Sequence, residues 1–112
     1  MSFFQSEVVR AELTEIQELQ EEVYGNIFEF PTMDMEDKKY HVDLLERLLN
    51  KQQILYTRLS LSDDPQAKMM KNDIMKGASD LGLPPNVDMN VVFNEMTKML
   101  GMMRMHIDKN EL

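Results

Sequence analysis

From Asp34 to Leu61 the chain carries one unbroken helical pattern, and its apolar residues fall in two adjacent stripes rather than one. Leu44, Leu48, Leu55 and Leu59 make the first stripe; Val42, Leu45, Leu49 and Tyr56 make the second. At 1.5 Å per residue such a helix is roughly 40 Å long. An apolar arc this wide needs cover on two sides, more than one neighbouring helix supplies. At the level of sequence the economical answer is a helix shared across a two-fold axis, in a homodimer or higher oligomer. The pattern predicts an all-α fold: long antiparallel helices with short turns, a helical hairpin or bundle completed by dimerisation.

Three further helices flank this one, and no strand pattern competes with them. The spacing predicts a first helix over about 7–28, with Ser6 as its N-cap and Glu7 at its positive end. Val9, Leu13, Ile16, Leu19, Val23 and Ile27 form its apolar stripe, and Pro31 ends helical continuity. The second helix, over 34–61, is capped by Thr32 or Asp34. The phrase Ser62-Asp63-Asp64-Pro65 then turns the chain, Asp64 capping a third helix over 65–81 with Pro65 in its first position. Met70, Ile74, Ala78 and Leu81 are its core side, and Gly82 is placed as its C-cap before Pro84-Pro85. Asn86 or Asp88 opens a fourth helix, over 88–108, with Val92, Met96, Met99, Met103 and Ile107 on the face expected to be buried. At 112 residues this is one domain, spanning 1–112.

Charge is distributed unevenly. Residues 1–50 hold twelve acidic and four basic side chains, residues 51–112 eight of each, so the whole formal charge of −8 belongs to the first half. Nine of the twelve methionines lie in the second half. The net charge repels nucleic-acid phosphates and anionic membranes, so neither is expected as a direct partner. There is no cysteine, which removes disulfides and thiolate metal sites. No apolar run approaches the ~20 residues that cross a bilayer, and the first residues lack the basic and apolar regions of a secretory signal. A cytoplasmic location is expected.

Two stretches carry a resemblance. Phe3-Phe4-x-Ser6-Glu7-x-Val9 and Lys51-Gln52-x-x-x-Tyr56-Thr57-Arg58-Leu59-x-Leu61-Ser62-Asp63-Asp64-Pro65-x-Ala67 resemble a family of small domains of unknown function, found in cyanobacteria and the phages that infect them. The resemblance covers about the first two thirds of the chain, and the part after Gly82 reads as variable. It implies a compact helical cytoplasmic protein and brings no catalytic residues with it.

Several constellations bear on chemistry. Glu15-x-x-Glu18 and Asp43-x-x-Glu46 place carboxylates one turn apart on neighbouring helices, which resembles the magnesium-binding arrangement of all-helical nucleotide pyrophosphohydrolases. That family reads Glu-x-x-Asp in its second pair, the reverse of this chain, and the first helix holds so many glutamates that such a pair arises readily by chance. His41 and His106, the only imidazoles, belong to no ligand motif; Asp37, four residues before His41, is expected to meet it on the surface. No nucleophile elbow and no phosphate-cradling glycine loop occurs. Arg58 is expected to pair with Asp63 or Asp64 and pin the corner between the second and third helices. Met102 and Met105 fall off the apolar stripe of the fourth helix and offer flexible apolar surface, expected to pack against a dimer mate through that helix, with a face for another protein as the alternative.

The reading is of a non-enzymatic interaction or regulatory protein without catalytic, cofactor or metal residues. It binds another protein through the acidic first helix (Glu15, Glu18, Glu22), the methionine-rich fourth helix (Met102, Met105) or Arg58. The alternatives are the magnesium-dependent pyrophosphohydrolase, with Glu15, Glu18 and Glu46 essential, and a structural or assembly component of a phage particle.

Overall fold

The computed structural model describes residues 3–80, 82–84 and 88–110. Four helices account for most of them: α1 Glu7–Asn26, α2 Met35–Leu61, α3 Pro65–Asp80 and α4 Met89–Asp108. Short 3-10 turns occupy Phe3–Gln5 and Ile27–Thr32, and no strand occurs among the described residues. The all-α expectation holds, with boundaries within two residues of those read from the pattern.

The helix ends follow local side-chain chemistry. Ser6 Oγ accepts the Val9 N–H, and Asp34 accepts the Asp37 N–H at 2.8 Å. Asp64 accepts the Gln66 N–H at 2.8 Å, and Asp88 accepts the Asn90 N–H at 2.9 Å. Each satisfies a donor that a helix start leaves unpaired. At the far end of α3, Gly82 takes φ +102°, where a side chain would be strained. Its N–H donates to the Ser79 carbonyl and the Leu83 N–H to the Ala78 carbonyl, closing the helix with a Schellman motif. Leu81, expected in the core of α3, and Asn86, an expected cap, lie outside the described residues.

α2 is the spine of the molecule. α1, α3 and α4 all pack on it, while α1 and α4 make hardly any contact with each other. One seam joins α1 and α3 to the leucine stripe: Ile16, Leu19 and Val23 meet Leu44, Leu48, Leu55 and Leu59, with Ala67 fully buried beneath. Burying one such side chain contributes roughly 1.5–3 kcal/mol, so this is the principal core. The other seam sets Met89 and Phe93 of α4, with Ala78 of α3, against Leu49 and Tyr56. The Tyr56 and Phe93 rings are tilted, with centroids 5.9 Å apart.

The wide arc of α2 packs against three helices of its own chain, α1, α3 and α4. One expectation needs correction. In α4 the buried positions are Met89, Phe93 and Ile107, with Leu100 packed against the second seam. Met96 and Met99 are 44% and 62% exposed. Phe93 and Leu100 take the contact with α2 beside the half-buried Val92, and Ile107 is buried as expected, so within the expected face Met96 and Met99 are the residues turned outwards. The molecule is a slab of 48 × 31 × 19 Å with a radius of gyration of 15.9 Å. A compact chain of this length would give about 13 Å.

Candidate functional site

The residues that carry the family resemblance meet at one corner. Asp64 reaches back across the molecule to accept the Phe3 N–H at 2.7 Å, while also capping α3. The Phe3 N–H, then the Gln66 N–H, hold the Asp64 carboxyl below its ordinary pKa. Phe3 and Phe4 stack edge to face at 5.0 Å and pack against the leucine seam, next to the buried Ala67. Arg58 does not pair with Asp63 or Asp64 as expected. Its guanidinium grips the Glu12 carboxylate, Nε to Oε1 at 3.1 Å and to Oε2 at 3.0 Å, tying α2 to α1. Asp64 is already committed to two backbone donors, and the capped turn leaves Arg58 on the α1 side. The shared motif thus builds an architectural corner.

The comparison with known families agrees with that corner and extends beyond it. A family model described as Domain of unknown function (DUF1825) matches residues 1–107. The chain belongs to this family. No curated protein and no solved structure matches it. The DUF1825 match runs into α4, so it extends past the two thirds of the chain that carry the resemblance.

The glutamates of α1 divide into two sets. Glu12 pairs with Arg58, Glu15 with Lys51 at 2.6 Å, and Glu22 accepts a 2.9 Å hydrogen bond from the Tyr40 hydroxyl. The Lys51 hydrogen bond and charge hold the Glu15 carboxyl below its ordinary pKa; the bond to Glu22 raises that of the Tyr40 phenol. These three carboxylates flank the α2 seam. Glu7, Glu18 and Glu21 lie exposed on the outer side, and none makes an ion pair among the described residues. Of the three expected contact glutamates, only Glu18 thus presents its charge to solvent without a partner.

The two acidic pairs do not come together. Asp43 and Glu46 both grip the Arg104 guanidinium of α4, on the other seam from Glu15. No group of three or more His, Asp or Glu residues placed to hold a metal occurs among the described residues. His41 also differs from expectation. It is 4% exposed, under the Phe30 ring at 5.3 Å, and burial lowers its pKa. The 3-10 turn Ile27–Thr32 carries Phe30 over it, while the Asp37 N–H turns to the Asp34 cap.

On α4, Met102 and Met105 are 58% and 57% exposed, pointing away from α2 as expected. One feature escaped the sequence reading. Between α1 and α4, floored by Gln52, Leu55 and Tyr56 of α2, runs an open apolar groove of about 770 Å³. Leu13, Gln17 and Gln20 of α1, Met70, Ile74 and Gly77 of α3, and Val92 and Met96 of α4 line its sides. Its only sequence signal is Gln17 and Gln20 bordering the apolar stripe where the rest of the polar face is mostly glutamate.

Proposed function

We propose that this DUF1825 protein is a non-enzymatic interaction protein whose outer α1 face docks a basic surface of another protein. The observation that carries this reading is the division of the glutamates. Lys51, Arg58 and Tyr40 engage those beside the seam, which leaves Glu7, Glu18 and Glu21 as a solvent-facing acidic strip with Arg10 as the only cation in the helix. Such a strip steers and orients a basic partner by complementarity, and nucleic-acid-handling proteins are the natural class, their phosphate-binding patches being masked by carboxylates. No helix of the described residues is long and apolar enough to cross a membrane, and the reading places the protein in the cytoplasm.

The test is an affinity capture from a lysate of the source cells, at low and high salt, with wild type beside Glu18→Lys/Glu21→Lys. A stoichiometric basic partner that is lost in high salt and lost with the double variant supports the reading, because exposed charges act within a Debye length of about 10 Å at 0.1 M. A partner retained unchanged under both conditions overturns the acidic face as the contact. Magnesium-dependent phosphate release from nucleotides, abolished by Glu15→Gln or Glu46→Gln, would establish the hydrolase alternative instead. Large symmetric assemblies of the pure protein would favour a particle component.

A further inference from the structure

We propose that the groove between α1 and α4 receives a second copy of this chain, each copy laying the methionine flank of its own α4 into the groove of the other. This rests on a different surface from the acidic strip and stands independently of it.

Shape is the first argument. The groove holds about 770 Å³, the volume of about two turns of a helix some 10 Å across. It is an open trough lined by α1, α3 and α4 over α2, and α1 and α4 scarcely touch across it, so a further helix can rest on its open side. The slab is only 19 Å thick, two helices deep, and more extended than a compact chain of its length.

Chemistry chooses the occupant. None of the sixteen lining residues is charged; the polar ones are Gln17, Gln20, Gln52 and Tyr56. The α4 wall runs on past the groove: Val92, Met96, Met99 and Met103 recur at steps of four, three and four, and Met96 and Met99 stand largely in solvent. Groove and flank therefore belong to the same face of the same helix, as a self-complementary two-fold contact requires. Flexible thioether side chains adapt to such a contact without a fixed register.

Charge then separates a second copy from a foreign basic helix. Each chain carries −8, so two copies repel wherever their carboxylates face one another. This uncharged trough is a surface on which they can close without burying like charges. A basic helix would be drawn to the exposed glutamates of α1, which the groove does not present. The two modes respond oppositely to salt. Screening weakens capture by the acidic strip and strengthens association through the groove.

The experiment is sedimentation equilibrium of the full chain at low salt and at roughly tenfold higher salt. Wild type is compared with Gly77→Phe and Met99→Glu. Gly77 lines the groove, and a Cβ there meets nothing within 4 Å, so phenylalanine fills the trough from a position with room for it. Met99 is exposed, so glutamate there places charge on the flank without entering the core. The expected result is a dimer that tightens with salt. Each variant should raise its dissociation constant at least tenfold with helical circular dichroism unchanged. Glu18→Lys/Glu21→Lys should leave the dimer in place, which separates failure here from failure of the acidic-strip reading. A wild-type monomer at both salt concentrations overturns the proposal, as does a dimer indifferent to both groove variants. A monomer that binds an environment-sensitive apolar dye, and loses it in Gly77→Phe, overturns it in favour of a small-ligand cleft.

Discussion

The two seams of α2 are built from different materials. Towards α1 the contact is aliphatic and branched, leucine against isoleucine and valine, and its polar edge is fastened at intervals by Arg58–Glu12, Lys51–Glu15 and Tyr40–Glu22. Towards α4 the contact is aromatic and thioether, and its ion pairs gather at one end. There Arg104 holds Asp43 and Glu46, and Lys39 meets Asp108 at 2.7 Å. Branched side chains fit few rotamers and make a rigid joint, whereas methionine fills gaps and re-packs. The two seams divide the labour. The α1 seam fixes the scaffold and sends its spare charge outwards; the α4 seam holds a helix whose methionine flank stays exposed.

The comparison breaks most readily in the cores. Leu59, 1% exposed, lies where the α1 and α3 contacts meet α2, and Leu59→Ala should cost about 2–5 kcal/mol in denaturant unfolding. Phe93→Ala, in the other seam, should cost about 3–5 kcal/mol, with hydrogen exchange accelerating in α4 before α1. Equal acceleration in both helices would mean that the seams are one cooperative unit. Next in size is the joint that leads into α4. Gly82→Ala at φ +102° should lower stability by about 1–2 kcal/mol, read as a fall in melting temperature.

Smaller effects sharpen the electrostatic side. Arg104→Ala leaves Asp43 and Glu46 as like charges one turn apart and should cost about 0.5–1 kcal/mol, shrinking as salt is added. The smallest effect at neutral pH belongs to His41, whose pKa burial lowers. Its folded pKa lies below the ordinary 6.5, so the unfolded chain takes up a proton first as pH falls past about 6.5. Stability present above that pH is lost on acidification until the folded imidazole also protonates. Glu15 and Asp64, likewise lowered, act in a separate window around and below pH 4. His41→Leu should therefore flatten the stability profile between pH 7 and 5 and leave the acid limb near pH 4 unchanged. A slope that persists in the variant would assign it to another group.

Much of this was legible because it is local. The caps Ser6, Asp34, Asp64 and Asp88, the proline start and glycine stop of α3, and the stripes of α1 and α2 depend on residues within a few positions of each other. What failed was long-range. Arg58 had acidic neighbours five and six residues away, yet its partner is Glu12, 46 residues distant on another helix. His41 looked exposed because nothing in its own turn announces that Phe30 folds over it. The acidic pairs resembled a metal site only while the seam each one serves was unknown.

The division between sequence and tertiary structure follows from the range of the forces. Periodicity, capping and backbone propensity act within about one turn, and by themselves they determined an all-α chain of four helices with its charge in the first half. Which face of a helix is covered is a choice among competing burials, decided when all the elements pack at once. That choice gave α2 three neighbours from its own chain and turned the methionine flank of α4 outwards. It also engaged the inner glutamates of α1, and it left between α1 and α4 an open apolar trough of about 770 Å³.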